Sequence, residues 1–146
     1  MAKSAKQPTS HGVFICHASI DSWVARQLAA KAEACGARAF LDGHAIEHGD
    51  DFEVRLREGA NDCAELLVLL TPTALRRRYV WLEIGMFFGA GKRIVTALYG
   101  VTTADLARAV DVPVLKRLDA VALEDIDSYF TDLAQRVHDL KKPRNV

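Results

Sequence analysis

One glutamate, Glu83, lies among apolar residues, where a carboxylate is unusual. It stands between Leu82 and Ile84 in a stretch with helical spacing, directly after the apolar run 66–70 and the turn Thr71–Pro72. A helix in this place has to pack on a sheet, so one of its sides is apolar and buried. Glu83 therefore either lies at the edge of the buried stripe with its head in water, or serves a function. A fixed carboxylate in a dry site can stabilise a developing positive charge or attack it.

A second group of reactive side chains follows the first apolar run, residues 13–15. Cys16, His17 and Ser19 come between this predicted strand and a predicted helix, whose N-terminal N–H groups would favour a phosphate. By themselves, Ser19 also fits an N-cap, and His17 fits a strand-end histidine bonded to the backbone. The sequence has no GxGxxG, GxxxxGK(S/T) or GxSxG motif. This argues against a dinucleotide-type Rossmann site, a P-loop and a Ser-His-Asp hydrolase.

The composition limits the class of protein. The chain has 146 residues, half of them hydrophobic, which suits one domain with a substantial core. Its 19 Lys and Arg balance 19 Asp and Glu, so we expect no binding to nucleic acid. The three cysteines lack CxxC or zinc-ligand spacing and are typical of reduced thiols, so we expect no metal site. Without a signal peptide or an apolar run near ~20 residues, a cytoplasmic protein with no membrane contact is expected.

Five apolar runs alternate with five helical patterns, which predicts a flavodoxin-like, doubly wound parallel sheet with helices on both faces. The third run is the most apolar, so we place it centrally, in the strand order 2-1-3-4-5. The strands are predicted at residues 13–17, 38–42, 65–71, 93–99 and 112–118. The helices are predicted at about residues 21–35, 51–61, 73–89, 103–110 and 123–140, and Trp23, Leu28 and Ala32 are among the buried positions of the first. Such sheets bind ligands at the carboxyl ends of their strands.

Four short motifs follow one another along most of the chain. They are Val13–Ser19, Phe40–Asp42 with Ile46–Asp50, Leu67–Pro72, and Trp81–Gly85. Their order and spacing resemble those of Toll/interleukin-1 receptor (TIR) domains of the bacterial, NAD+-cleaving type. The resemblance covers residues 12–140, so we expect a TIR domain there, a flexible segment at 1–11 and a solvated tail at 141–146.

The resemblance implies a role for Glu83. Many TIR domains cleave NAD+, and Glu83 occupies the position of their catalytic glutamate, which adaptor branches commonly lack. NAD+ would be the substrate, so no cofactor is implied. The resemblance also implies a set of substrate-binding residues: Cys16, His17, Ala18, Ser19, Asp42, Glu47, Phe52 and Tyr79.

This sequence departs from the family pattern at two of these positions. The family often has tryptophan four residues before its glutamate. Here that residue is Tyr79, which can still stack on a flat ring, one helical turn from Glu83. Some active relatives have arginine where this chain has Ala18. A phosphate contact would then come from backbone N–H groups or from Arg76–Arg78, a run that otherwise fits a solvated helix face.

Self-association is a further property that the resemblance implies. TIR domains commonly complete their site by placing a loop of one protomer against the next. In this chain, the assembly loop would contain Gly43, His44, Ile46, His48 and Gly49. The glycines would let the loop move, and the histidines would make the contact sensitive to pH unless they are simply exposed. A head-to-tail contact gives open filaments, so we expect weak activity in dilute solution that rises on assembly.

Two functions from different classes are consistent with the sequence. The first is an NAD+ nucleosidase, either a glycohydrolase or a cyclase, acting in bacterial antiviral defence or NAD+ signalling with a sensor or effector as a further partner. The alternative is a non-enzymatic adaptor or effector that binds other TIR domains. A receiver-like phosphorelay domain is disfavoured, since Thr71 ends the third strand and Ala18 and Ser19 follow the first, where acidic residues would be needed.

Overall fold

The sheet has five parallel strands in the predicted order. The computed structural model describes residues 11–41, 58–109 and 119–141. Its strands are β1 (Gly12–Cys16), β2 (Arg38–Leu41), β3 (Glu65–Leu70), β4 (Arg93–Leu98) and β5 (Asp119–Ala122). All neighbouring strands pair in parallel, in the order β2-β1-β3-β4-β5. The flavodoxin-like sheet with its most apolar strand in the centre is therefore confirmed.

Helices cover both faces of the sheet. They are α1 (Ser22–Ala34), α2 (Pro72–Leu75), α3 (Arg78–Gly89), α4 (Thr103–Ala109) and α5 (Ile126–Leu140), with 3₁₀ turns at Ser19–Asp21 and Leu123–Asp125. Alternate residues of β3 enter two separate cores. Leu66, Val68 and Leu70 pack in a cluster with α3 and α4, while Leu67 and Leu69 pack in a cluster with α1 and α5. A strand buried on both faces requires this continuous apolar sequence.

The helix predicted over residues 73–89 is two helices. Pro72 is at the first position of α2, and the Thr71 hydroxyl accepts a hydrogen bond from the Ala74 N–H at 3.1 Å, which caps the helix. The chain then becomes extended at Arg77 (φ −94°, ψ 119°), and α3 begins at Arg78. The indole N–H of Trp81 donates to the Leu75 carbonyl at 2.9 Å and so satisfies one of the open acceptors at the end of α2.

The predicted burial of Trp23 is wrong, because its side chain is 66% exposed. The buried stripe of α1 consists of Ala25, Leu28 and Ala32, which are spaced by three and four residues. Trp23 precedes Ala25 by two residues, a spacing that places it on a different face of the helix. The predicted end of α1 is confirmed, since Gly36 follows it with φ +93°, a conformation that glycine adopts without strain.

Two predicted elements fall wholly or partly outside the described residues. The fifth strand was predicted at residues 112–118, which lie outside them, and the strand that pairs with β4 is Asp119–Ala122. The helix predicted at residues 51–61 is described only at its end, where residues 58–62 are helical.

A buried carboxylate, Glu65, begins β3 at the amino edge of the sheet and is 1% exposed. Arg136 of α5 donates to both of its oxygens, at 2.8 and 3.1 Å. The Tyr129 hydroxyl donates to Glu65 Oε1 at 2.6 Å, and His11 Nε2 lies 2.6 Å from Oε2. In sequence, Glu65 is only the first residue of a predicted strand, and this network was not predicted.

These hydrogen bonds determine the ionisation of Glu65. Burial by itself would raise the pKa of this carboxyl group. The hydrogen bonds from His11, Arg136 and Tyr129 favour the ionised form and together outweigh burial, which lowers the pKa from 4.5 to about 2. Glu65 is therefore a structural carboxylate that stays charged.

We expect acid to remove the stabilisation that this network supplies. Since the folded-state pKa is depressed to about 2, the contribution is complete above about pH 4.5 and is lost as the pH falls from there towards 2. The shift corresponds to on the order of 3 kcal/mol. Urea unfolding at about pH 6 and about pH 3 should show a larger loss of stability in the wild type than in Glu65→Gln. Equal losses in the two proteins would contradict this account.

Candidate functional site

Glu83 lies on the buried face of α3, together with Val80, Ile84 and Phe87, and its side chain is 0% exposed. The interpretation that Glu83 lies at the edge of the buried stripe, with its carboxylate exposed to solvent, is therefore wrong. Packing alone does not explain a carboxylate here, because an apolar residue of similar volume is often as stable or more stable at a buried position. Its burial makes Glu83 a candidate functional residue.

The N-terminal end of α3 reaches the carboxyl edge of the sheet. The Cys16 thiol, at the end of β1, lies 3.9 Å from the Val80 carbonyl, in the first turn of α3. Two turns later, the ring of Phe87 is 5.5 Å from the ring of Phe14, farther back on β1. The helix therefore crosses one face of the sheet and carries Glu83 just beneath the strand ends, where ligands bind in folds of this kind.

Tyr79 joins this helix to the loop that follows β1. Its hydroxyl lies 3.4 Å from the His17 carbonyl oxygen, to which it donates a long hydrogen bond. The same hydroxyl is hydrogen-bonded by the backbone of Ser19. Cys16 and Glu83 are also close enough to Tyr79 to raise its pKa electrostatically. The structure thus brings these predicted site residues of the loop and of α3 together.

The pKa of Tyr79 is raised, chiefly because burial disfavours the phenolate, and Cys16 and Glu83 add to this effect. The hydrogen bond from Ser19 and the nearby Arg77 oppose the shift without reversing it. The hydroxyl therefore stays neutral around pH 7 and keeps its proton available for donation.

A second contact fixes the other end of the same loop. The Thr71 hydroxyl, at the end of β3, donates to Asp21 Oδ2 at 2.6 Å. Ser19, which fits an N-cap in sequence, caps neither α1 nor the 3₁₀ turn through its side chain. The Thr71–Asp21 pair was not predicted. The available signal was topological, since Thr71 follows β3 and Asp21 lies in the segment after β1, and the two strands are neighbours.

The remaining predicted residues have different surroundings. Cys16, His17 and Ala18 are buried, Ser19 is exposed and Tyr79 is partly buried. The side chains of Arg76–Arg78 are exposed, as in a solvated face. Asp42, Glu47 and Phe52, and the assembly loop with Gly43, His44, Ile46, His48 and Gly49, lie outside the described residues.

Two other kinds of site are absent from residues 11–41, 58–109 and 119–141. No group of three or more His, Cys, Asp or Glu in these ranges is placed to hold a metal ion. No helix in the described part of the chain is long and apolar enough to cross a membrane. A cavity of about 260 Å³, lined in part by Arg93, Asp119 and Arg136, lies at the amino edge of the sheet and shares no residue with the candidate site.

Comparison with known proteins yields matches along most of the chain. Residues 13–137 match the family model described as TIR domain. A probable 2′ cyclic ADP-D-ribose synthase from Brachypodium distachyon, BdTIR, is 29% identical over 96 residues, which are 64% of this chain and 43% of that protein. This chain therefore spans less than half the length of that relative.

Solved structures agree in fold. The TIR domain of the Toll-related receptor TRR-2 from Hydra magnipapillata superimposes with a TM-score of 0.59 and 20% identity, over 89% of this chain and 98% of that one. The TIR domains of the activated Roq1 resistosome, which recognises the pathogen effector XopQ, give a TM-score of 0.62 and 12% identity over the same shares. With a family model matched along most of its length and the sheet order predicted for that family, this chain belongs to the TIR domain family.

Proposed function

We propose that this protein is an NAD+ nucleosidase that breaks the bond between nicotinamide and ribose, with Glu83 as its catalytic carboxylate. The observation that carries the proposal is the position of Glu83, fully buried in the second turn of α3 and close to Tyr79, which contacts the loop after β1. The name of the Brachypodium distachyon relative, a probable cyclic ADP-ribose synthase, supports the same chemistry.

One carboxylate is sufficient for this reaction. Most glycosidases use two, because the alkoxide that leaves must be protonated by a general acid. In NAD+ the ring nitrogen of nicotinamide is cationic, so the C–N bonding pair leaves with nicotinamide as a neutral pyridine. The ribose carbon then carries positive charge, which the Glu83 carboxylate stabilises or traps covalently. Water completes a hydrolysis and releases a proton, whereas a nitrogen of the adenine ring completes a cyclisation.

NAD+ can approach Glu83 only after a movement. Glu83, Cys16 and Ala18 are all 0% exposed, so the described conformation excludes both the substrate and water. We propose that self-association favours an open conformation, with the loop after β2 as the contact between protomers. The Roq1 TIR domains, which act in a resistosome, are consistent with an assembled active state.

The rate per protomer should therefore rise with protein concentration, because assembly obeys mass action. Initial rates of NAD+ consumption across an about 100-fold range of concentration, with the oligomeric state followed by light scattering, would measure this. A constant specific rate across a range in which the protein assembles would contradict activation by self-association and leave the catalytic assignment of Glu83 unaffected.

The proposed activity is tested with wild type and Glu83→Gln under assembling conditions, with the products separated by chromatography. Loss of nicotinamide release in the variant is expected. The second product distinguishes a hydrolase, which makes ADP-ribose, from a cyclase. No cleavage by folded, assembled wild type would exclude the enzyme and favour an adaptor that acts by TIR–TIR binding. The three free cysteines favour a reducing compartment such as the cytoplasm. A role in bacterial defence or NAD+ signalling is proposed from the family resemblance alone.

A further inference from the structure

The hydroxyl of Tyr79 has a role in the structure that its ring does not explain. It lies between two backbone groups of the loop after β1, the His17 carbonyl at 3.4 Å and the hydrogen-bonding backbone of Ser19. The Ser19 backbone also lowers the pKa of Tyr79, as an N–H group near the phenol oxygen does. The phenol therefore donates to the His17 carbonyl and lies next to the backbone of Ser19.

Tyr79 is well placed to transmit this contact to Glu83. The two residues are four apart on α3 and so share a face, one turn from each other. The ring of Tyr79 packs against the buried cluster that contains Cys16, Ala18 and Val80, which fixes its direction. The position of the loop after β1 relative to the Glu83 carboxylate thus depends on Tyr79, whose ring is packed in the core and whose hydroxyl bonds the loop.

The Thr71 hydroxyl holds the following part of the loop. Its 2.6 Å hydrogen bond to Asp21 connects the 3₁₀ turn to the end of β3. Between these two contacts, His17 and Ala18 are buried while Ser19 and Ile20 are exposed. Without the Tyr79 hydroxyl, the loop would keep the Thr71 contact but lose its hydrogen bond to Tyr79 of α3.

We propose that Tyr79 is a positioning residue, whose hydroxyl holds the loop His17–Ser19 in register with Glu83. The proposal rests on the proposed function, because the loop would border the substrate of the reaction at Glu83. It replaces the expectation that Tyr79 acts by stacking its ring on the substrate.

The test compares two substitutions. Tyr79→Phe keeps the ring and removes the hydroxyl, and Tyr79→Leu removes both. If the hydroxyl keeps the loop in the register that binds NAD+ once the site has opened, only a fraction of the open Tyr79→Phe molecules has the loop in the binding conformation. We expect KM to rise about 3- to 10-fold in Tyr79→Phe, with kcat within about twofold of wild type. Tyr99→Phe is the matched control, since Tyr99 is 58% exposed after β4, and it should leave both constants unchanged.

An independent measurement reports the local stability of the loop without requiring NAD+ cleavage. Hydrogen exchange of the Ser19 amide, followed by NMR, should accelerate about 3- to 10-fold in Tyr79→Phe and stay unchanged in Tyr99→Phe. Unchanged KM and exchange in Tyr79→Phe, with losses only in Tyr79→Leu, would overturn the proposal in favour of the ring. If folded wild type does not cleave NAD+, the proposed function fails, and the exchange rate alone decides whether the hydroxyl positions the loop.

Discussion

Glu83→Gln should lower the rate of NAD+ cleavage by a factor on the order of 1,000 while the protein stays folded. The substitution keeps the size of the side chain and removes its negative charge. The charge is what the reaction uses, because the ribose carbon becomes positive only as nicotinamide leaves. An interaction that strengthens in the transition state lowers kcat and kcat/KM together when it is removed. Nicotinamide release at saturating NAD+ measures the effect.

Two controls separate chemistry from folding. Glu33→Gln makes the same change at an exposed position of α1 and should leave the rate unchanged. Thermal unfolding of Glu83→Gln should occur within a few degrees of the wild-type temperature, because the amide has nearly the size and shape of the carboxylate. A variant that is folded and assembled yet keeps more than about a tenth of the wild-type rate would remove Glu83 from the catalytic role.

The fold was predictable because burial leaves a clear pattern in the strands. A run such as Leu66–Leu70, apolar at every position, is expected only where both faces of a strand are covered, so β3 had to be central. The break before α3 was not predicted, since it depends on the extended conformation of Arg77, which no periodicity reports. The burial of Trp23 was predicted wrongly because its apolar character suggested the buried face of α1, whereas its position around the helix axis puts it on the exposed face.

The candidate site was predictable in part, for a different reason. Glu83 is conspicuous in sequence, because a carboxylate between apolar neighbours violates the pattern of its own helix. The contacts of Tyr79 with His17 and Ser19 are not visible in sequence, since they join residues about 60 positions apart through backbone groups. Asp42, Glu47 and Phe52 stay predictions, as does the assembly loop. The Glu65 network was missed because a glutamate that begins a strand is most often solvated.

Glu65→Leu should lower the free energy of unfolding by about 3–5 kcal/mol. Glu65 connects three segments of the chain: His11 before β1, the start of β3, and Tyr129 and Arg136 on α5. Without the carboxylate, the guanidinium of Arg136, whose side chain is only 24% exposed, loses its acceptor in a poorly hydrated place. The large expected loss therefore comes from the partners left behind and from the lost attraction together.

An exposed ion pair in the same chain provides the matched control. Arg108 donates to Asp105 at 2.7 Å within α4, but these side chains are 77% and 39% exposed. Water solvates both charges there, so Arg108→Ala should leave the free energy of unfolding nearly unchanged. Urea unfolding of both variants at neutral pH makes the comparison. A Glu65→Leu protein as stable as Arg108→Ala would show that the network contributes little.

A double substitution distinguishes the two sources of the loss. Glu65→Leu together with Arg136→Met removes the carboxylate and the guanidinium, so no charge of this pair is left buried without its partner. If the uncompensated charge dominates, the double variant should be about 1–3 kcal/mol more stable than Glu65→Leu alone. If attraction and hydrogen bonding dominate, the double variant should be no more stable than the single one. The second outcome would make Glu65 a true stabilising centre of the fold, since Tyr129 and His11 would then lose contacts that no apolar replacement restores.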